Sequence, residues 1–435
     1  MSTDSASSRP KPEASPASRV DHERTPSAAD PGGRQSVSFA HLGRSITRPI
    51  RTINLPVHRA SSVVFETFAE AREAGSAGLA GHRHRASYGT SGTETTHALF
   101  DAVAAAEAPG HDCRAALMPS GLSAISTALF AFTRPGDHVL MSDSVYGPAR
   151  VFAQGLLTSF GVRTTFFDPR AGPAIDALIE PQTRLIYLES PGSYTFEIQD
   201  CPSICAVARN RGVMTVIDNT YASPVLARPF DWGVDASIIA LTKYWAGHSD
   251  LLMGAVVVRP ERWTALWSTV RQLGICVGGD DAWLVLRGMR TVEVRMRAHE
   301  QAGLAVARWL DHRPEVARVL HPGLPSHPDH DLFRRDFLGS NGLFAFELES
   351  AATDAEVAAL VDHRRYFRIA YSWGGFESLI IPAQIDQIRT AARWTGGRLI
   401  RLHIGLEPVA DLIEDLAEGF AAMAAVRRGA AAASK

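Results

Sequence analysis

Lys243 is the residue from which chemistry can be argued first. Of the 44 lysines and arginines in the 435-residue chain, only Lys11, Lys243 and Lys435 are lysine. Lys11 lies in a Ser/Pro-rich tail and Lys435 is the last residue, which leaves Lys243 alone in the part composed to fold. Arginine carries the surface charge everywhere else, but it cannot lose its proton near neutral pH and attack as an amine. The setting of Lys243, Ser237-Ile-Ile-Ala-Leu-Thr-Lys-Tyr-Trp-Ala-Gly-His, is too apolar for a chance surface lysine. A nucleophilic amine that forms a Schiff base fits both facts. Asp218 closes the apolar run Val213–Ile217, and a carboxylate buried at a strand end needs a cationic partner. A pyridinium nitrogen would serve, and the pair would keep that ring protonated as an electron sink. Alone, Asp218 would equally suit a turn or helix cap before Asn219-Thr220; Lys243 at the end of the next strand favours the chemical reading.

Three further groups complete the set. Ser120-Gly121 stands between a strand and a helix, where free N–H groups and the helix dipole favour an anion such as phosphate. Leu122 begins that helix, and the hydroxyl of Thr242, next to the lysine, could reach the same anion. Tyr146, in Asp143-Ser-Val-Tyr-Gly-Pro, could stack on a flat ring, although a tyrosine there also suits a core. Arg401 sits within the apolar strand Leu399-Ile-Arg-Leu-His-Ile, where a charge is costly without an anion; a bidentate carboxylate is its natural partner, with a buried structural ion pair as the other reading. Amine, ring carboxylate, phosphate cup and stacking aromatic are what pyridoxal 5′-phosphate requires. No cysteine or histidine spacing suggests a metal site.

These groups must be positioned by the alternation of short apolar runs with helical stretches. Strands are expected at 115–118, 138–141, 184–188, 213–217, 236–240 and 254–258, with a helix over 122–132. Continuous apolar strands separated by helices predict an α/β fold with a mostly parallel sheet buried on both faces, and ligands in such sheets collect at the carboxyl edge. A helical region from Asp281 to Asp311 precedes strands at 344–348, 369–372 and 399–404, which reads as a smaller C-terminal α+β domain. The organisation expected is a disordered tail over 1–40, an arm over 41–94, a cofactor domain over 95–298 and a second domain over 299–435. The Ala-rich end after Ala421 is expected to be a fraying helix.

Composition narrows the function classes. A net charge of −2 with 46% hydrophobic and 21% charged residues gives no basic footprint for nucleic acid or membrane surfaces, and no segment is apolar for long enough to span a bilayer. The N-terminus lacks the apolar stretch of a signal peptide. Four cysteines, with Cys201 and Cys205 one turn apart on an expected helix, suit buried reduced thiols, as in a cytoplasmic enzyme.

The stretches Tyr88-Gly-Thr-Ser-Gly-Thr, Pro119-Ser-Gly, Glu189-Ser-Pro-Gly-Ser, Ile217-Asp-Asn-Thr, Leu241-Thr-Lys-Tyr, Gly247-His-Ser-Asp, Arg287-Gly-Met-Arg-Thr, His321-Pro-Gly-Leu-Pro, Tyr371-Ser-Trp-Gly-Gly and Ile400-Arg-Leu-His-Ile-Gly-Leu-Glu run in order along the chain. Over residues 40–425 it resembles the Cys/Met-metabolism group of fold-type I pyridoxal-phosphate enzymes. Relatives acting at Cγ usually carry an Asn-containing loop where this chain has Pro191-Gly-Ser193, and Ser-Leu-Gly-Gly where it has Tyr371-Ser-Trp-Gly-Gly; both features here resemble the bacterial lyases that cleave cystathionine at Cβ. The resemblance implies a carbon–sulfur lyase acting on a small amino-acid thioether and feeding methionine synthesis, in a homo-oligomer built as a dimer of active dimers. A γ-acting relative, a general cysteine-S-conjugate β-lyase and a non-catalytic cofactor-binding scaffold are the alternatives. The resemblance further implies that Lys243 carries the cofactor, Asp218 meets its ring nitrogen and Tyr146 stacks on it. Ser120, Gly121, Leu122 and Thr242 would line the phosphate, Arg401 would grip the substrate α-carboxylate, Tyr371, Ser372 and Trp373 would shape the pocket, and Tyr88 would reach in from a neighbouring subunit.

One position departs from the pattern. The group normally places an arginine two residues after that tyrosine, reaching the cofactor phosphate across the subunit interface; here the position is Thr90, followed by Ser91. Another cation, such as the run Gly81-His-Arg-His-Arg85, would have to replace it, or the cofactor is held more weakly. As a run of charge, 82–85 also reads as a solvated loop.

Overall fold

The computed structural model describes residues 38–43, 52–81, 86–349, 352–385 and 388–433. The expected tail over 1–40 lies outside them except for its last three residues, and so does the His/Arg run 82–85. Seven strands form the first sheet: β1 (Arg114–Met118), β2 (His138–Ser142), β3 (Arg163–Phe167), β4 (Thr183–Glu189), β5 (Met214–Asp218), β6 (Ala236–Ala240) and β7 (Gly254–Val258). Their order is β1-β7-β6-β5-β4-β2-β3. All neighbours run parallel except β7, which is antiparallel to β1 and β6 on either side. Every residue of β2, β5 and β7 is buried, because helices cover both faces. That is why these strands read as unbroken apolar runs rather than alternating ones.

A second sheet holds β8 (Val316–Leu320), β9 (Leu343–Leu348), β10 (Arg368–Ile369), β11 (Leu379–Ala383) and β12 (Leu399–His403), in the order β10-β11-β12-β9-β8. It is antiparallel apart from the β10–β11 pair. Its apolar face packs a core of its own, with Phe344, Phe346, Ile400 and Leu402 meeting Leu412, Leu416 and Phe420 of the terminal helix Val409–Ala433. The α/β class with a mostly parallel sheet and a smaller C-terminal sheet is therefore as expected.

Some elements differ from the sequence reading. β3 was not expected: Arg163-Thr-Thr-Phe-Phe is an edge strand, exposed at its start and buried only at Phe167, so it lacks the apolar run. β8 and β11 were also not expected. The strand expected over 369–372 stops at Ile369, because Ser372 turns into the left-handed region at φ 86°. The helical stretch from Asp281 is two helices, Gly279–Met289 and Val292–Asp311, and the terminal helix continues to Ala433. Cys201 and Cys205 are free and buried on the helix Cys201–Arg211. No helix among the described residues is long and apolar enough to cross a membrane.

Candidate active site

The carboxyl edge of the first sheet gathers the charged groups. Asp218 ends β5 and is 7% exposed. Its carboxylate accepts the Thr220 N–H at 3.0 Å and lies 3.5 Å from the Tyr187 hydroxyl, and no cation among the described residues pairs with it within ion-pair distance. Burial pushes its pKa up, against the Thr220 hydrogen bonds that favour the anion. A carboxylate in this state is completed by a cationic N–H donor that desolvates with it.

Lys243 leaves β6 through a tight turn, with its N–H bonded to Ala240 O at 3.1 Å and its carbonyl accepting from Gly247 N at 2.8 Å. Its Nζ donates to Ser372 Oγ at 2.7 Å and stands 5.3 Å from the centre of the Trp373 ring. Burial, and then the charge of Arg401, lower its pKa from 10.5 to about 8, while Asp218 pulls the other way. Only the neutral form of an amine can act as a nucleophile, so the competent fraction grows as pH rises through the folded value. Cofactor-free protein mixed with pyridoxal 5′-phosphate is expected to gain the near-visible band at a rate that climbs through pH 8 and then levels, 8 being the lowered value. Stopped-flow absorbance at fixed ionic strength would measure this. A rate still climbing steeply toward pH 10 would show that burial does not depress this lysine.

The opposite end of the cradle is made by Ser120 and Gly121. Ser120 caps the helix Gly121–Phe132, accepting Ser123 N–H at 3.1 Å. A Cβ on Gly121 would lie 2.8 Å from Ala240 Cβ, and one on Gly254 would lie 2.3 Å from Ser120 O. The two glycines let the helix start press against the ends of β6 and β7, which brings its free N–H groups beside the lysine turn. Leu122 is 38% exposed in the first turn. Thr242 differs from expectation in one respect: its hydroxyl accepts from Met253 N at 2.9 Å and donates to Met253 O at 3.2 Å. Its proton is already in use, so it can serve an anion only by exchanging that bond. Tyr146 follows β2 and is 43% exposed, and its N–H donates to Glu189 Oε2 at 2.7 Å. Glu189 ends β4 in register with Asp218; burial and then that neighbour push its pKa well above the usual carboxylate range. Sequence reasoning gave it no role, although its place at the end of a strand was available as a signal.

The remaining charged and aromatic groups come from the second sheet and the segment beside it. Arg401, on β12, is 8% exposed. One of its Nη2 protons goes to Ser372 O at 3.1 Å, and its guanidinium carbon lies 5.3 Å from the centre of the Tyr194 ring. No carboxylate among the described residues pairs with it, so the ion-pair reading is not what the chain supplies. Tyr194, in a left-handed conformation at φ 68°, was not singled out from the sequence. Ser372 thus contacts both cations, by its hydroxyl to Lys243 and by its carbonyl to Arg401. Trp373 packs its ring 5.5 Å from Tyr244, while Tyr371 is 82% exposed. The structure therefore brings Lys243, Asp218, Tyr146, Ser120, Gly121, Thr242, Ser372, Trp373 and Arg401 to one edge. Tyr88 is not joined to them: it is 51% exposed, pairs with Ser62 in an isolated bridge, and Thr90 beyond it is exposed.

The residues present suit pyridoxal 5′-phosphate: a buried anion without its cation, an amine made nucleophilic, a glycine-lined helix N-terminus, and a tyrosine ring held by its backbone. Comparison with known proteins agrees. A family profile described as Cys/Met metabolism PLP-dependent enzyme matches residues 36–421. A protein named cystathionine beta-lyase from Salmonella typhimurium is 42% identical over 88% of this chain and 97% of its own length. One named L-alanine/L-glutamate racemase from Wolbachia pipientis is 38% identical over 86% of this chain and 94% of its own. The crystal structure of cystathionine gamma synthase from Xanthomonas oryzae pv. oryzae, in complex with aminoacrylate and cysteine, superposes with a TM-score of 0.78 at 32% identity, covering 89% of this chain and 98% of that one. With the profile spanning nearly all of its folded part, the chain belongs to the Cys/Met metabolism family of enzymes dependent on pyridoxal 5′-phosphate.

Proposed function

We propose that this enzyme is a carbon–sulfur lyase that cleaves L-cystathionine at Cβ: L-cystathionine and water give L-homocysteine, pyruvate and ammonia. The observation that carries the reading is Ser372, whose hydroxyl and carbonyl lie 2.7 Å from Lys243 Nζ and 3.1 Å from Arg401 Nη2. One residue thereby sets the spacing between a base and a carboxylate clamp. The bound cofactor supplies an electron sink for charge left at Cα. Arg401 grips the substrate α-carboxylate in the planar two-bond mode and turns the Cα–H toward Lys243. Released by the incoming substrate amine, the Lys243 amine takes that proton as general base, and the resulting ammonium can return a proton to the departing thiolate. Asp218 remains ionised against the ring nitrogen. The Ser372 hydroxyl restrains the lysine so that its lone pair faces the substrate.

Relatives of this length that are named for cystathionine cleavage support the reaction, and the relative named as an L-alanine/L-glutamate racemase supports amino-acid racemisation as a second reading. Purified protein incubated with L-cystathionine should release free thiol with pyruvate in equal amounts. Formation of 2-oxobutyrate instead would assign cleavage to Cγ, and D-alanine formed from L-alanine without thiol release from cystathionine would favour racemisation.

We further propose an arm over 41–94 that completes the site of a neighbouring subunit, with a cofactor domain over 95–298, a second domain over 299–435, and assembly as a dimer of such dimers in the cytoplasm. Val64, Phe68 and Leu79 are 92%, 79% and 63% exposed on the arm, an apolar surface suited to a second copy. Tyr88 would then act in the partner's site, and residue 90 would face its cofactor phosphate. Threonine offers one hydroxyl there, whereas arginine offers a charge-assisted fork. Thr90→Arg is therefore expected to slow cofactor loss on dialysis and to raise the melting temperature, since a ligand bound only by the folded state stabilises it by mass action. Retention no better than wild type would mean that another cation fills the place, with Arg83 and Arg85 the first to substitute.

A further inference from the structure

The turn Ser372–Gly375 contacts both cations of the site, Lys243 and Arg401. Ser372 and Gly374 have φ of 86° and 87°. A Cβ on Gly374 would lie 2.8 Å from Tyr244 N and 3.0 Å from Lys243 Cα, and one on Gly375 would lie 2.2 Å from Ser249 Oγ. The turn therefore lies flat on the backbone of the lysine segment, where only glycine fits. Left-handed backbone at a non-glycine residue such as Ser372 is strained and persists only where its surroundings over-determine it.

Beneath the turn is His403, 1% exposed on β12. It stands two residues beyond Arg401, and so points to the same face of the strand. Its Nε2 is 3.1 Å from Gly374 N and 3.1 Å from Gly375 O. The ring is neutral, because burial holds its pKa well below the ordinary value, with His299, Arg401 and Lys243 acting in the same direction. Nε2 therefore either accepts the Gly374 N–H or donates to Gly375 O, and each tautomer leaves it bonded to the turn. The other nitrogen, Nδ1, is buried with no partner among the described residues. A buried polar atom left unpaired is costly, so packing alone gives no reason for a histidine here. The bond to the turn does.

We propose that His403 is the positioning residue of this site: through Nε2 it clamps the Ser372–Gly375 turn, and so fixes the Ser372 hydroxyl on Lys243 and the Ser372 carbonyl on Arg401. The inference rests on the roles of Lys243 and Arg401 proposed above. It adds a group that touches neither substrate nor cofactor and acts on both cations at once.

Three substitutions at one position test it in the cofactor-loaded enzyme. The amide of His403→Gln extends far enough to bond the turn, the amide of His403→Asn is too short, and His403→Leu has no polar atom. His403→Asn and His403→Leu are expected to lower kcat/KM for L-cystathionine by roughly 10- to 100-fold, the scale of a misplaced catalytic group, with both kcat and KM affected and cofactor content unchanged. The pH midpoint of the cofactor's near-visible band should also move, since it reports the surroundings of Lys243 without any turnover. His403→Gln should recover much of both. In a Ser372→Ala background, His403→Asn should cost clearly less than it does alone, because the hydroxyl contact with Lys243 is already gone and only the residue 372 carbonyl's hold on Arg401 is left to lose. Equal behaviour of the Gln and Asn variants, or full additivity with Ser372→Ala, would overturn the proposal. If His403→Leu fails to fold, the Gln and Asn pair still decides. The band titration stands apart from the reaction: wild-type protein that yields no pyruvate would sink the proposed activity but not the clamp.

Discussion

Lys243→Ala is expected to leave a folded protein without the cofactor's near-visible band and without turnover. Two functions disappear together, the covalent attachment and the general base, and the base alone is worth roughly 10²–10⁴-fold. Lys243→Arg should be as inactive, since guanidinium keeps its proton at any pH the fold survives. The arginine variant is the sharper probe because it preserves charge and most of the length, and the site already tolerates a cation beside Arg401 at some electrostatic cost to the lysine. Near-visible absorbance and pyruvate release would be measured on the same preparations. Normal turnover in Lys243→Arg would remove the foundation of the assignment.

Arg401→Lys should separate substrate recognition from cofactor binding. The guanidinium is buried, unpaired by any carboxylate among the described residues, and oriented by Ser372 O and the Tyr194 ring. An ammonium keeps the charge but cannot reproduce the planar fork. Loss of one charged hydrogen bond costs about 1.5–3 kcal/mol, which converts to roughly 10- to 150-fold in kcat/KM. The expected result is that loss with an unchanged cofactor spectrum. Removing Arg401's charge-delocalised group should leave Ser120, Gly121 and Asp218 untouched, as they lie on β5 and on the helix start that follows β1, apart from the second sheet. Loss of cofactor in this variant would show that Arg401 belongs to the cradle and not to the substrate.

The cofactor half of this site was legible in the sequence and the substrate half only in part, for physical reasons. Asp218 and Lys243 could be placed because the first ends, and the second closely follows, a buried strand, and such strands read as apolar runs with a sharp polar stop. Arg401 stood out as a charge within a strand. β3 was missed because its first residues are exposed and polar, which leaves no run to detect. The turn at Ser372 was read as strand, since a non-glycine residue in left-handed backbone carries no local signal. The same holds for Tyr194. His403 lay in a quoted motif, but its role depends on contacts with residues 374 and 375, far away in the chain. Thr242 shows the converse limit: its position was as expected, yet its hydroxyl was already committed to Met253. Composition can indicate which groups gather at an edge; hydrogen bonds formed only on folding determine which of them remain available.

The division of the site between two sheets bears on how such enzymes diverge. Ser120, Gly121, Asp218 and Lys243 all belong to the parallel sheet and its loops, whereas Ser372, Trp373 and Arg401 come from the second sheet and the turn beside it. On the roles proposed above, substitutions in the second set would redirect which bond of the substrate is presented without disturbing the cofactor binding assigned to the first. Natural variation is thus free to explore chemistry at near-constant fold, and proteins named as a lyase, a synthase and a racemase share this chain's architecture or ancestry. In this chain Ser372 touches a cation of each half, Lys243 of the first and Arg401 of the second, so the boundary between inherited scaffold and adjustable specificity runs through that serine.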